Sequence, residues 1–286
     1  MKERLTITLD TNLMSSIDST IDGVNIRNRS HAIEHLLNAS IHRSNYKKGV
    51  IFAGGSKTAI NGKKISVPMI SIGGKPIIHY IVSELRRNKV NDIIVSAGRD
   101  SEDIRSYLGD GSQYGLKIIY MMEDVPKGTE GALGLMENVV GNEPFFALNG
   151  DNIFMLEMED MYRQHIANKA IATVALTPAD SRSRFGVTKL EGSRITNFTQ
   201  KHEQGREATL ANAGIYLFSP EVFGLIRRSE SRIMLEESLF PKLVAMKQLF
   251  GYVFSGPWCS IDSTINMQKG VKELENVARA ILMGRG

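Results

Sequence analysis

Apolar and polar positions change their period along the chain, and each change marks an element. Arg4 to Leu9 alternates with period two, so Leu5, Ile7 and Leu9 share one face and Arg4, Thr6 and Thr8 the other, as in a strand. Asp10 is an N-cap by residue type, and Leu13, Ile17 and Ile21 follow at helical spacing until Gly23 ends the helix. Asn28-Arg29-Ser30 opens a second helix with Ala32, Ile33, Leu36, Leu37 and Ile41 as its apolar stripe. So short a segment cannot bury these faces alone, and a homodimer or higher oligomer is expected. The polar stretch SNYKKG over 44–49 reads as a linker, which divides the chain into domains 1–45 and 49–286.

Beyond the linker, strand and helix patterns alternate. Val50-Ile51-Phe52 predicts a buried strand that runs into Ala53-Gly54-Gly55, a loop whose backbone can approach an anion or a base. Helices are predicted over Pro76–Asn88, Glu102–Leu108 and Gly131–Val139, and strands over Asp92–Ala97, Leu116–Met121 and Glu143–Leu148. The last of these strands leads into Asn149-Gly150-Asp151. The alternation predicts an α/β fold with a doubly wound, mostly parallel sheet and ligands at the carboxyl ends of its strands. Strand patterns over Ile171–Leu176, Gly186–Leu190 and Gly214–Phe218 predict a more β-rich second half, and Leu274–Met283 an amphipathic closing helix.

Composition narrows this picture modestly. The chain has 286 residues, 42% hydrophobic and 23% charged, as in ordinary globular proteins, and no apolar run reaches the ~20 residues of a membrane span. Neither a membrane partner nor a secretory leader is expected, and the single cysteine, Cys259, excludes an intrachain disulfide and favours the cytoplasm. A net charge of +4 permits nucleic-acid binding without demanding it. His31 and His35 have the i, i+4 spacing of a metal pair but no evident third ligand, so solvated histidines are expected.

MKERLTITLD, an amphipathic helix and RNRSHAIEHLL together resemble a ribbon-helix-helix DNA-binding domain of the Arc, MetJ and CopG superfamily. The resemblance implies a dimeric β-ribbon in the major groove of double-stranded DNA, with Arg4, Thr6 and Thr8 at base edges. It also implies phosphate contacts at Asn28, Arg29 and Ser30. The simpler alternative is a strand and helical hairpin that serve only to dimerise the chain.

From Gly49 to about Gly270, ordered motifs resemble the sugar-phosphate nucleotidyltransferases. They are FAGG (Phe52–Gly55), PKGTEGAL (Pro126–Leu133), ALNGDNI (Ala147–Ile153), FGV (Phe185–Val187), ITNFTQK (Ile195–Lys201), NAGIYLFSP (Asn212–Pro220), LFPKL (Leu239–Leu243) and GYVFSGPW (Gly251–Trp258). The family reaction joins a sugar 1-phosphate to a nucleoside triphosphate with release of pyrophosphate, and uses Arg, Lys and Mg²⁺ to neutralise phosphate charge. By resemblance Ala53, Gly54, Gly55, Gly128 and Thr129 hold the base and ribose, and Asp151 a ribose hydroxyl or metal ion. Gly186, Asn212 and Gly214 fall where the family contacts the sugar, and Lys201 where it meets a phosphate. The charged machinery is depleted: the family's arginine position is Ala59, its lysine position Val67, and its late metal aspartate Ser260. Lys57, Lys63, Lys64 and Asp262 lie close enough in sequence to substitute.

Joined together, the two resemblances predict a ligand-responsive transcriptional regulator. A DNA-reading ribbon would be fused to a catalytically impaired, pseudoenzyme domain that senses a nucleotide or nucleotide sugar. No cofactor is expected of such a sensor. The alternative is an active nucleotidyltransferase with Asp151 and Lys201 as its catalytic groups, Asp151 as metal ligand and Mg²⁺ as cofactor.

Overall fold

The computed structural model describes all residues except 1–5, 25, 42–45, 56, 61–62, 100, 180–186, 200–208, 228–230, 262–273 and 280–286. The chain divides into two compact units, Met1–Asn45 and Tyr46–Gly286.

The small unit holds two helices, α1 (Thr11–Asp18) and α2 (Arg29–Ile41). Asp10 caps α1, its carboxylate accepting from the N–H groups of Asn12 at 2.7 Å and Leu13 at 3.2 Å. The helix stops at Asp18, well before Gly23. There the hydroxyls of Ser19 and Thr20 donate to the carbonyls of Ser16 and Ile17, satisfying backbone acceptors that another turn would have used. Within the single chain, residues 6–10, which include Thr6 and Thr8, are not assigned to a strand, and Arg4 lies outside the described residues. Two of the three residues expected at phosphates, Asn28 and Arg29, have partners within the unit. Asn28 Oδ1 accepts from the His31 N–H at 2.9 Å as a helix cap, and the Arg29 guanidinium forms two 2.7 Å bonds to the Asp18 carboxylate. Ser30 is exposed in the first turn of α2.

The large unit begins with β1 (Lys48–Phe52), the short hairpin β2 (Thr58–Ile60) and β3 (Lys63–Ile65), and a second hairpin, β4 (Ser71–Ile72) and β5 (Lys75–Pro76). Then come α3 (Ile77–Arg87), β6 (Asp92–Gly98), α4 (Glu102–Leu108), β7 (Lys117–Glu123), α5 (Gly128–Gly134), α6 (Glu137–Val140), β8 (Phe145–Asn149), β9 (Asn152–Phe154) and α7 (Met158–Ala167). The second half supplies β10 (Ala172–Ala179), β11 (Val187–Glu191), β12 (Arg194–Thr199), β13 (Thr209–Phe218), α8 (Leu239–Ala245), β14 (Leu249–Val253) and β15 (Trp258–Ser260). Residues 274–279 are helical.

The main sheet runs β10-β14-β12-β11-β13-β8-β1-β6-β7. Strands β8, β1, β6 and β7 are parallel, as the alternation predicts, but β13 enters antiparallel to β8, and β11 with β12 forms an antiparallel hairpin. The sheet is therefore mixed, which corrects the expectation of a mostly parallel, doubly wound one. Parallel neighbours need a long crossover, and the two-residue turn between β11 and β12, with Gly192 at φ 61°, allows only reversal.

The two faces of the sheet follow from strand alternation. Ile51, Val95, Phe146 and Leu148 pack with α3, α4 and α7, whereas Val50, Phe52, Ile94 and Ala147 pack with α5, α6 and α8. The α/β/α sandwich buries Ile51, Phe146 and Tyr216 completely. Each such side chain contributes about 1.5–3 kcal/mol, before the chain's ordering entropy is counted. Buried Glu84 accepts from Arg87 at 2.7 Å and from the Leu156 N–H at 3.0 Å, tying α3 to the segment after β9.

Candidate functional site

Strands β1, β7 and β8 end at Phe52, Glu123 and Asn149, and the segments that follow them line two adjoining cavities. Their volumes are about 160 and 250 Å³, and they share Phe52, Gly54, Gly55, Thr129, Arg232 and Met234. The smaller adds Glu123 and Gly128; the larger adds Val67, Asn149, Gly150, Asp151 and Ile261. This is the carboxyl-end crevice where open α/β sheets bind ligands.

Close backbone approaches set the walls. Ala53 N–H donates to Ser96 O at 2.7 Å and Gly150 N–H to Phe52 O at 3.0 Å, holding the loops after β1 and β8 together. A Cβ on Gly150 would stand 2.8 Å from Phe52 O, so the approach requires glycine. A Cβ on Gly54 would meet Glu123 Oε1 at 3.1 Å. That buried carboxylate is held in place by the Ser96 hydroxyl on one oxygen and the Lys127 N–H, at 3.0 Å, on the other.

The opposite wall comes from residues distant in sequence. Ile233 N–H donates to Lys127 O at 2.9 Å, Glu130 N–H to Ile233 O at 3.1 Å, and Leu235 N–H to Thr129 Oγ1 at 3.0 Å. Gly128, at φ +76°, has no room for a side chain: a Cβ there would lie 2.3 Å from Ile233 O. Buried Glu130 accepts from the N–H groups of Arg227 at 2.8 Å and Leu239 at 3.1 Å, fixing the start of α8 against α5. Arg232 is thereby held at the rim common to both cavities.

A polar cluster adjoins the larger cavity. Asn212 Nδ2 donates to Tyr216 Oη and Glu236 Oε1, both at 3.1 Å, and its Oδ1 accepts from the Gly214 N–H at 2.9 Å. Burial pushes the Tyr216 hydroxyl and the Glu236 carboxyl above their ordinary pKa ranges. A Cβ on Gly214, which has φ +68°, would lie 2.7 Å from the Asn149 amide. Asn149 Oδ1 and Glu236 Oε2 are buried acceptors with no hydrogen-bond partner among the described residues.

Of the ligand contacts expected from sequence, Ala53, Gly54, Gly55, Gly128, Thr129 and Asp151 line these cavities. Asn212 and Gly214 are not among the lining residues; they lie in the adjoining cluster, and Gly186 and Lys201 lie outside the described residues. Val67, at the position of the family's lysine, faces the larger cavity. Ser260 sits in β15 opposite Asn152, and the Ile261 N–H donates to Asp151 O at 3.0 Å; Asp262 lies outside the described residues. Sequence reasoning missed Glu123, Arg232 and Met234. Glu123 could have been found by extending the β7 pattern two residues, but nothing periodic marks 231–234. Among the described residues no group of three or more His, Cys, Asp or Glu side chains could hold a metal ion, and no helix is long and apolar enough to cross a membrane.

Residues 48–270 match the nucleotidyl transferase family. The chain is 28% identical over 233 residues to the D-glycero-alpha-D-manno-heptose 1-phosphate guanylyltransferase of Aneurinibacillus thermoaerophilus, covering 80% of this chain and 99% of that one. It is 30% identical over 222 residues to the mannose-1-phosphate guanyltransferase of Saccharomyces cerevisiae, covering 75% of this chain and 61% of the yeast protein. This chain thus spans about three-fifths of the yeast relative's length. The crystal structure of HddC from Yersinia pseudotuberculosis superposes with a TM-score of 0.67 at 21% identity, covering 80% of this chain and 99% of that one, and supports the fold. The relatives bear the names of sugar-phosphate guanylyltransferases, which overturns the transcriptional-regulator, DNA-binding and pseudoenzyme expectations. Physically, the error lay in judging charge from single aligned positions, when the cavity assembles Glu123, Asp151 and Arg232 from three separate segments.

Proposed function

The chain belongs to the nucleotidyl transferase family, and from that premise we propose that it is a working enzyme which joins a nucleoside triphosphate to a sugar 1-phosphate and releases pyrophosphate. The observation that carries this is the pair of adjoining cavities with shared walls, Glu123 lining one and Asp151 the other. Guanine is the base this reading favours: the fixed Glu123 carboxylate is an acceptor beside Gly54 and Gly128, and guanine's edge offers an amino and a ring N–H as donors. The names of the two guanylyltransferase relatives point the same way. The unpartnered Asn149 Oδ1 suits a sugar hydroxyl.

Mg²⁺ fits the donor set, since this ion is commonly held by one or two carboxylates together with substrate phosphates, and Asp151 puts a carboxylate on the cavity wall. Bound there it would neutralise phosphate charge. The chain's own part is to hold two anionic reactants in line, a positioning task for the loops after β1, β7 and β8. The test is pyrophosphate release from GTP with mannose or heptose 1-phosphates. Turnover that prefers GTP over dTTP and falls at least about 100-fold in Asp151→Asn supports the proposal. No release from any pairing of nucleoside triphosphate and sugar 1-phosphate sinks it.

Residues 1–45 serve, in this reading, as a self-association unit. Ile17 and Ala32 are its buried apolar side chains among the described residues, yet Leu13 lies one turn before Ile17 and Leu36 one turn after Ala32. These stripe residues remain 50% and 40% exposed, so the inward stripe is only partly covered. Domains near roughly 40 residues generally need a disulfide, a metal or a partner to be stable, and the one cysteine, Cys259, lies in the other unit. A second copy of the same unit covers the stripe. Leu13→Glu combined with Leu36→Glu should shift the full chain toward monomer in analytical ultracentrifugation. A wild-type chain that is monomeric at every concentration overturns the assignment.

A further inference from the structure

The Ala59 and Val67 positions leave the cavity without the cations that a triphosphate requires, and Arg232 stands where they are missed. Among the described residues lining the two cavities it is the one cation, against two carboxylates, Glu123 and Asp151. It lies on the border the cavities share. A nucleotide with its base beside Glu123 and its phosphates toward Asp151 would therefore pass it. Three hydrogen bonds between residues 127–130 and Ile233 or Leu235 fix its backbone, while the side chain itself is exposed and enters no ion pair or hydrogen bond with the described residues. Such an arginine is anchored at its Cα and free at its guanidinium. Without it, Glu123 and Asp151 would face an incoming triphosphate as like charges in a confined space.

We propose that Arg232 is a catalytic residue that binds the triphosphate and stabilises its charge during transfer, in place of the cations lost at 59 and 67. This rests on the nucleotidyltransferase reading. In the step, an anionic oxygen of the sugar 1-phosphate forms a bond to the α-phosphorus. The bond from that phosphorus to the α,β-bridging oxygen breaks, and the electron pair leaves with pyrophosphate. The attacking oxygen is already anionic, so no proton has to be removed from it. Charge gathers on the departing pyrophosphate, where a guanidinium donates two parallel hydrogen bonds more effectively than an ammonium.

The experiment compares wild type, Arg232→Ala, Arg232→Lys and Lys57→Ala by pyrophosphate release and by calorimetry with GTP and with GMP. Arg232→Ala should lower turnover by about 10²–10³-fold, with Arg232→Lys recovering part of it. It should also weaken GTP binding at least tenfold while leaving GMP binding within about twofold. Unchanged GTP affinity in Arg232→Ala overturns the proposal, as does unchanged turnover in an active enzyme, or a loss seen only in Lys57→Ala. If wild type shows no turnover but Arg232→Ala still selectively loses GTP, the triphosphate contact stands and the transferase reading falls.

Discussion

The two units apply one amphipathic logic with opposite results. In the large unit, Ile51, Val95 and Phe146 on one face of the sheet, and Val50, Ile94 and Ala147 on the other, each meet a helical layer and disappear from solvent. In the small unit, α1 and α2 bury Ile17 and Ala32 between them and leave Leu13, Leu36 and Leu37 substantially exposed. Two layers around a sheet close a core, whereas two short helices do not. The difference teaches that a correct apolar stripe specifies an element but not what covers it.

Substitutions can break or sharpen that contrast. Phe146→Ala should cost the large unit about 3–5 kcal/mol in denaturant melts, because its fully buried ring meets Tyr46 edge-on at 5.1 Å. Leu37→Ala in the small unit should cost well under 1 kcal/mol at low protein concentration. Equal losses at the two sites would erase the distinction.

Acid titration reaches the same interior by another route. His165, buried between the hydroxyls of Thr173 at 2.8 Å and Ser219 at 2.9 Å, has its pKa lowered by burial to about 4 from an ordinary 6.5. Between those values the unfolded chain holds a proton that the folded one does not. This contribution is therefore fully present above about pH 6.5 and declines as pH falls toward about 4, to a total of about 3 kcal/mol. His165→Gln should flatten this part of the stability-against-pH curve; an unchanged slope would contradict the assignment. In the small unit, Asp10→Ala should cost about 1 kcal/mol through loss of the α1 cap, read as reduced helicity.

Much of the parallel half was legible. Helix α4 falls on Glu102–Leu108, the span its pattern predicts, and β1 with its glycine loop, α3, β6 and β8 appear within a residue or two of theirs. The pattern from Gly131 to Val139 reads as one helix, but α5 and α6 break between Gly134 and Glu137. Strand β13 starts at Thr209, five residues before Gly214, because Asn212 and Gly214 are polar or small yet face a buried partner network that local pattern does not reveal. Six of the ten ligand-contact residues expected from sequence line the cavities, four of them in the loops after β1 and β8 and two, Gly128 and Thr129, in the first turn of α5.

By itself the sequence determined where most helices and strands of the parallel half form, because period, caps and turn residues act within a few positions of one another. It also determined that a glycine loop would follow the first buried strand. Only the tertiary structure decided that β13 runs against β8, that Gly128 must stay small for Ile233, and that Arg232 reaches the cavity rim. Those outcomes depend on contacts between segments distant in sequence, whose pairing is set by how the layers pack and leaves no mark on either segment alone.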